Sequence, residues 1–328
     1  MKFFLRLVLL LAMTALFPAA RADDFLPGVK RILFLGDSIT YSGQYVDLFE
    51  AFLLTQFPDR KFEVIDCGLP SETVSGLSEE GHAGGAFPRP WLHERLDRVL
   101  ETVKPDFVFA CYGMNCGIYL PLEESRFAKY REGIEELRTK AKAAGAQIIH
   151  LTPAVFDSVP LKGHVEPRET VKDGQQYEGY DEVLTVYGEW LMAQRAKGWR
   201  VVDAHAAMRA VLDAKRQDDP IYKFAPDGVH PNADGHRAIA EALVRELAPD
   251  RADKFHAWLE TTGTTKEGKA FIEAIRKRER ILADAYLTTA GHKRPGMNKG
   301  LPLDEAKTKA EELSPKIEEA QKALASHE

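Results

Sequence analysis

The sequence predicts an α/β fold in which a parallel β-sheet lies between layers of helices. Of the 328 residues, 45% are hydrophobic, which is enough to build a sizeable core. Short apolar runs alternate with longer amphipathic stretches over most of the chain, as strands alternate with helices in parallel sheets. These runs are apolar throughout, which is typical of strands that are covered on both faces.

Five short apolar segments fit the strands of such a sheet. In chain order they are Arg31–Leu35, Lys61–Cys67, Asp106–Tyr112, Gln147–Leu151 and Arg200–Asp203. The stretches between and after them carry apolar residues at helical spacing and predict helices. These stretches are Gly43–Gln56, Trp91–Thr102, Glu123–Ala144, Gly179–Ala196, His205–Ala214 and Ala233–Leu247. Two long loops, Leu69–Pro90 and Pro153–Glu178, leave the carboxyl ends of strands, where open α/β sheets form their binding crevices.

The residues after Asp250 have a different character. Lys266–Ala290 and Leu303–Ala325 are charged stretches that favour helix, and a basic segment with glycine and proline joins them. We therefore expect a main domain over residues 23–250 and a helical C-terminal extension over residues 251–328. The extension is expected to pack on the main domain or on a partner.

The first 22 residues have the pattern of a secretory signal peptide. Lys2 and Arg6 give a basic start, Leu7–Phe17 is an apolar core, and an A-x-A cleavage site ends at Ala22. The apolar core is shorter than the ~18–20 residues that span a bilayer, so we expect cleavage instead of an anchor. The mature protein is expected in the periplasm or outside the cell, without stable membrane insertion.

Charge and cysteine content argue against several classes of protein. The formal net charge is −6. All charged residues of the predicted leader are basic, so the mature chain is more acidic still. Such a chain is not expected to bind nucleic acid as its main partner. The three cysteines, Cys67, Cys111 and Cys116, are an odd number and do not suggest a disulfide framework. We expect small buried thiols, with a bridge between Cys111 and Cys116 as the alternative.

Ser38 is the candidate nucleophile. It follows the first strand in the segment Gly36-Asp37-Ser38, where the glycine allows a sharp exit from the sheet. The hydroxyl then lies where the next helix begins, and the N–H groups at that helix start can stabilise an oxyanion. The tripeptide is weak evidence by itself, because Asp and Ser are also common helix caps.

Asp227 and His230 are the candidate partners of this serine. A serine hydroxyl needs a base within hydrogen-bond reach and a group that orients the base. The two residues lie three positions apart, in a loop with proline and glycine just before a predicted helix. The carboxylate can therefore hold the imidazole while the other ring nitrogen faces Ser38. The alternatives are a solvated loop histidine beside a turn aspartate, and His236 as the base, although His236 lies inside the predicted helix.

Gly68 and Asn115 are the candidate donors to an oxyanion. Gly68 follows the second strand and can offer its N–H at close approach, and Asn115 follows the third strand and can donate from its side-chain amide. Each residue alone is more simply explained as part of a turn. All the candidates fall, however, at carboxyl ends of strands or beside the final helix of the main domain, so they converge on one edge of the sheet.

The combination of these motifs resembles the four sequence blocks of the SGNH (GDSL-type) hydrolase superfamily, in order and approximate spacing, over roughly residues 30–247. The matching segments are Gly36-Asp37-Ser38, Gly68, Gly113-Met114-Asn115 and Asp227-x-x-His230. The resemblance implies a three-layer α/β/α sandwich, flavodoxin-like, with a five-stranded parallel sheet. It also implies ester hydrolysis through an acyl-serine intermediate, without a metal or organic cofactor.

The same resemblance assigns roles by position. Ser38 is then the nucleophile and one oxyanion donor, and Gly68 and Asn115 are the other donors. His230 is the base, and Asp227 orients it. One departure stands out, because the third block usually ends in Asn-Asp, whereas Asn115 is followed here by Cys116. The donor amide is kept, but the group that normally holds its loop is changed.

These residues predict a carboxylic-ester hydrolase of the serine esterase type. We expect short-chain esters, acetyl above all, with a small-molecule or glycan alcohol half, by analogy with the carbohydrate deacetylases of the superfamily. A lipid-directed esterase or lysophospholipase is the alternative enzyme and requires an apolar acyl channel. A non-catalytic carbohydrate-binding protein that kept the fold is the alternative from another class. His82, His164 and His205 lack the spacing of metal ligands, so no metal site is expected.

Overall fold

One sheet of five parallel strands forms the centre of the computed structural model, which describes residues 25–325. The strand order is β2-β1-β3-β4-β5. The strands are β1 (Arg31–Gly36), β2 (Glu63–Asp66), β3 (Phe107–Cys111), β4 (Gln147–Leu151) and β5 (Arg200–Val202). All five predicted strands are confirmed, with small differences at their ends. The predicted signal peptide lies outside the described residues and stays a prediction.

Helices cover both faces of this sheet. They are α1 (Ser38–Tyr41), α2 (Gln44–Gln56), α3 (Leu92–Val103), α4 (Glu124–Ala143), α5 (Tyr180–Ala193), α6 (Ala204–Asp218), α7 (Ala233–Leu247), α8 (Pro249–Glu260), α9 (Lys266–Ala290) and α10 (Leu303–Ala325). On one face α7 packs between α2 and α6, and on the other α3 packs against α4. Tyr130 of α4 stacks on Tyr187 of α5, with ring centroids 4.3 Å apart. The predicted three-layer α/β/α sandwich is therefore confirmed.

Burial explains the apolar runs of the sequence. Every residue of β3 is buried, and β1 is buried from Ile32 onwards. Phe34 of β1 stacks on Phe109 of β3, with ring centroids 4.7 Å apart. Because all strand pairs are parallel, the five carboxyl ends meet at one edge of the sheet.

The C-terminal helices lie against the sheet and its helices. The stretches predicted as α9 and α10 are confirmed, and α8 is a further helix, which is not among the predicted stretches. Pro249 is the first residue of α8, a position where the missing N–H of proline carries no penalty. Helix α9 packs against α2, α3 and β2, so it covers the edge strand of the sheet. The domain boundary at residue 250 stays a prediction.

The remaining structural expectations concern cysteines and membrane spans. Cys67, Cys111 and Cys116 are all buried free thiols, so the alternative disulfide is absent. Within residues 25–325, no helix combines the length and the apolar character needed to cross a bilayer.

Candidate active site

Ser38 lies at the start of α1, directly beyond the carboxyl end of β1. The chain leaves the strand at Gly36, where a Cβ atom would lie 1.9 Å from Oγ1 of Thr40 and 2.8 Å from the carbonyl oxygen of Cys111. Glycine is therefore required at this exit. Asp37 caps the helix, because its Oδ1 accepts from the N–H of Ile39 at 3.0 Å. Since Asp37 serves as the cap, the hydroxyl of Ser38 is left for another partner.

That partner is His230. Its Nε2 lies 2.7 Å from Oγ of Ser38, and its Nδ1 lies 2.6 Å from Oδ2 of Asp227. The other carboxylate oxygen of Asp227 accepts from the N–H groups of His230 and Val229 at 2.8 and 3.0 Å. The loop thus fixes the carboxylate by its own backbone before the carboxylate orients the ring. The structure brings the three predicted residues into one hydrogen-bonded chain.

The electrostatics of these three hydrogen-bonded residues favour Nε2 of His230 as the base. The hydrogen bond that His230 donates to Asp227 raises the pKa of His230 above its usual value, and its effect exceeds the opposite effect of burial. Burial would raise the pKa of Asp227, but the hydrogen bonds from His230 and Val229 outweigh it and lower that pKa. The carboxylate therefore stays ionised and holds the proton of the neutral imidazole on Nδ1. The lone pair of Nε2 then faces the serine hydroxyl.

The rival histidine belongs to the core. His236 is buried, its Nε2 lies 3.1 Å from Oγ of Ser42, and its ring stacks on Tyr45. Burial above all, together with the nearby charges of His230 and Arg276, lowers its pKa to about 3. Its contact is with Ser42, whereas Ser38 contacts His230, so the geometry selects His230.

Asn115 lies at the end of β3 with its amide held in one orientation. Its Oδ1 accepts hydrogen bonds from Nη1 of Arg89 and from the hydroxyl of Tyr119, both at 2.9 Å. Two donors on one atom identify that atom as the oxygen. One hydrogen of Nδ2 goes to the carbonyl oxygen of Glu72 at 3.2 Å, so the second hydrogen of the amide is left for a ligand.

Two buried ion pairs support this amide from either side. Arg89 forms a bidentate pair with Glu79, with both N–O distances at 2.6 Å. Arg95 pairs in the same way with Glu72 at 2.6 and 2.7 Å. Buried bidentate pairs of this kind fix the positions of the loops that carry them. No sequence motif points to these partners, because they come together only through the folded loop between β2 and α3.

The structure does not bring Gly68 to the cleft, and this prediction is corrected. Its N–H donates to Oδ1 of Asp66 at 2.7 Å, and a Cβ atom there would lie 2.4 Å from the backbone nitrogen of Tyr41. Gly68 is thus needed for close packing of the backbone against α1. Ser71, three residues later, lines the cleft with Ser38 and has a left-handed φ of 68°. Within the described residues no acceptor takes its N–H.

Cys116 replaces the usual carboxylate by a buried thiol. Its carbonyl oxygen accepts from Oγ of Ser75 at 3.0 Å, which ties this loop to the loop between β2 and α3. Burial raises the pKa of this thiol to about 12, so the group stays neutral. The loop of Asn115 is further held by Tyr180, whose hydroxyl donates to the carbonyl of Met114 at 2.9 Å. The departure from the family pattern therefore leaves the donor loop anchored.

A cleft of about 680 Å³ contains Ser38, Asn115, Asp227 and His230. Both long loops line it, as predicted, and most of the lining is polar. The charged and imidazole side chains beyond the catalytic candidates are Glu79, His82, Arg89, His164, Glu166 and Arg294. The aliphatic residues of the lining are Pro70 and Val229. His205, by contrast, is buried beneath Thr185 and Pro153.

This chain is similar to one protein family and to several solved structures. The model of the GDSL-like lipase/acylhydrolase family matches residues 34–238. A gut microbial diltiazem-metabolizing enzyme is 20% identical over 67% of this chain and 48% of its own, with a TM-score of 0.51. An acetylxylan esterase from Geobacillus stearothermophilus is 21% identical over 67% of this chain and 94% of its own, with a TM-score of 0.48. No curated protein matches the chain.

Proposed function

Because this chain belongs to the GDSL-like lipase/acylhydrolase family and is a carboxylic-ester hydrolase, we propose that it is a serine esterase in which Ser38, His230 and Asp227 form the catalytic triad. The observation that carries the proposal is the hydrogen-bonded chain, with 2.7 Å between Ser38 and His230 and 2.6 Å between His230 and Asp227. A serine and a histidine that served only the fold would have no need of this alignment beside an open cleft.

The reaction proceeds in two halves. Oγ of Ser38 attacks the ester carbonyl while Nε2 of His230 takes its proton, and the resulting tetrahedral oxyanion collapses by breaking the bond to the alcohol oxygen. His230 returns the proton to that oxygen, and the alcohol leaves. His230 then takes a proton from water, whose oxygen attacks the acyl-serine. The second tetrahedral intermediate collapses by breaking the bond to Oγ, and His230 returns the proton to Oγ, which releases the acid and restores the hydroxyl of Ser38.

Three donors are available to the oxyanion. The N–H of Ser38 lies at the start of α1, and the free hydrogen on Nδ2 of Asn115 lines the same cleft. We assign the third position to the N–H of Ser71, in place of Gly68, because Ser71 lines the cleft and its N–H has no acceptor among the described residues. Fixed N–H donors of this kind stabilise the negative charge without reorganisation during the reaction.

The cleft favours a small acyl group and a polar alcohol half. Its lining offers many hydrogen-bonding groups and little aliphatic surface, and Pro70 and Val229 cannot form a channel for a long acyl chain. We therefore propose acetyl esters of carbohydrates as substrates. The same lining disfavours a lipid-directed esterase.

A series of p-nitrophenyl esters of increasing acyl length tests this function. We expect the highest kcat/KM on acetate and a loss of about 10³-fold or more in kcat for Ser38→Ala. Ser42→Ala is the matched control, because Ser42 closes the same helix but bonds to His236. Equal rates for Ser38→Ala and the wild type would exclude the serine mechanism, and a preference for long acyl chains would exclude the acetyl assignment.

A further inference from the structure

We propose that Arg294 is a substrate-binding residue that selects esters whose alcohol half carries a carboxylate group, such as an acetylated sugar acid. This inference rests on the proposed esterase function and extends it to the part of the chain beyond the family match, which ends at residue 238. Arg294 belongs to the segment of residues 291–302 that joins α9 to α10.

The fold carries this segment to the cleft. Helix α9 ends beside α3, where Nε of Arg98 donates to the carbonyl of Ala290 at 2.6 Å. A second nitrogen of Arg98 lies 3.3 Å from the carbonyl oxygen of Gly291. The chain then turns back toward the loop between β2 and α3, and the guanidinium of Arg294 lies 5.0 Å from the ring centroid of Phe87. From there Arg294 lines the same cleft as Ser38.

The guanidinium of Arg294 has unused donors. Its Nη1 donates to the carbonyl of Pro295, whereas Nε is buried and has no acceptor. Within residues 25–325, Arg294 forms no ion pair. A buried donor without an acceptor is unfavourable, and a bound ligand that accepts from it removes this cost.

The other arginine of the cleft shows the difference. All three guanidinium nitrogens of Arg89 donate to Glu79 or Asn115, and its side chain is only 6% exposed. Arg89 therefore holds the site together, whereas Arg294 can bind a ligand. Its Nε and Nη2 lie on one edge of the planar guanidinium, and this edge matches the two oxygens of a carboxylate.

His82 lines the same cleft, packs against the same ring of Phe87 as Arg294, and adds a complementary acceptor. Its Nδ1 lies 3.2 Å from Oε1 of Glu79, so the carboxylate holds the ring proton there. Its Nε2 is buried and has no partner, and burial followed by the charge of Arg89 lowers the pKa of the ring. The neutral ring thus offers a lone pair to a hydroxyl group. A sugar acid supplies both the hydroxyl and the carboxylate.

The carboxylates of the cleft leave room for such an anion at Arg294. Glu79 is neutralised by Arg89, and Asp227 is engaged with His230. Glu166 is the remaining acid of the lining, and its Oε2 accepts from Thr170 at 3.2 Å. A carboxylate on the substrate is therefore expected to turn away from Glu166 and toward the guanidinium.

The test uses methyl galactoside and methyl galacturonide acetylated at the same ring hydroxyl, which differ only in the group at C6. We expect the wild type to prefer the acidic ester, and Arg294→Ala to lower kcat/KM for that ester about tenfold or more, mainly through KM. The neutral ester should change less than threefold, and Arg294→Lys should lie between. Lys299→Ala is the matched control, because it removes a positive charge from an exposed position of the same segment.

Binding of the unesterified methyl glycosides to the Ser38→Ala protein separates this inference from the proposed function. Tighter binding of the galacturonide, lost in Ser38→Ala/Arg294→Ala, supports the role of Arg294 even if no ester is hydrolysed. Equal effects of Arg294→Ala on the acidic and neutral esters, in a protein that hydrolyses both, would overturn the inference and leave the esterase function intact. Equal binding of the two glycosides by the Ser38→Ala protein would also overturn it.

Discussion

Arg89→Met tests whether the orientation of Asn115 limits catalysis. In the structure, Oδ1 of Asn115 accepts from Arg89 and Tyr119, both at 2.9 Å. The variant removes one of these two donors and keeps an unbranched side chain that replaces the apolar stem of the arginine, up to about the position of Nε. The amide can then rotate, and for part of the time it presents oxygen instead of N–H to the oxyanion. Arg89 is therefore a positioning residue, since its action on the reaction passes through Asn115.

The expected fall in kcat follows from the number of hydrogen-bond donors that hold the amide of Asn115. Loss of one oxyanion donor lowers kcat by about 10²–10³-fold, which sets the limit for Asn115→Ala. Because Tyr119 still holds the amide, we expect about a tenfold fall in kcat for Arg89→Met. Arg89→Met/Tyr119→Phe should approach the limit set by Asn115→Ala. The variant also leaves the carboxylate of Glu79 without its arginine partner, although His82 still contacts it, and this costs about 1–3 kcal/mol of folding free energy.

Steady-state kinetics on p-nitrophenyl acetate, with thermal unfolding of each protein, measures both consequences. Glu79→Gln in the Arg89→Met background restores stability without restoring the donor to Asn115, so kcat should stay low. Arg131→Met is the control, because Arg131 pairs with Glu124 on the surface of α4. An unchanged kcat for folded Arg89→Met, or a change confined to KM, would refute the reasoning.

Two further predictions concern the base and the nucleophile helix. Asp227 raises the pKa of His230, and the base works only when neutral, so activity falls as pH drops through that raised pKa. In Asp227→Asn the acidic limb of the kcat/KM profile should move to lower pH and kcat should fall about 10³-fold or more, and an unmoved limb would contradict this. Arg280 donates to the carbonyl of Tyr41 at 2.6 Å and lies over its ring at 4.4 Å, so Arg280→Met should lower kcat several-fold by loosening α1. Lys277→Met, an exposed change on the same helix, should leave kcat unchanged, and equal kinetics of these two variants would exclude the support of α1.

The strands and the residues of the proposed triad could be predicted from the sequence because each has a local signal. A strand buried on both faces leaves an apolar run, as Phe107–Cys111 does, whatever the rest of the chain does. Ser38 and the Asp227–His230 pair follow from the sheet, since parallel strands bring their carboxyl ends together. The sequence therefore predicted which residues meet, although not the distances between them.

The donors to the oxyanion and the arginines of the cleft were harder to predict, because contacts between residues far apart in the sequence determine their positions. Gly68 looked like the donor since it directly follows a strand, but only the structure shows that its N–H goes to Asp66. The left-handed backbone of Ser71 has no signal in the sequence, because such a φ usually marks glycine. Arg89 and Arg294 reach the cleft through long loops whose course depends on packing, and neither has a motif.

The C-terminal helices also have a structural role in this esterase, because one of them pairs with buried acids of the main domain. On α2, Asp47 and Glu50 are buried, and burial raises the pKa of Asp47 to about 7. Their partners come from α9, where Arg276 donates to Asp47 at 2.8 Å and Arg278 pairs with Glu50. Two buried acids of α2 thus depend on α9 for their counter-charges, and unpaired buried charges are strongly destabilising. Because α9 both pairs with these acids and leads into the segment that places Arg294 in the cleft, we expect changes in α9 to lower stability and, through the proposed role of Arg294, to weaken substrate binding.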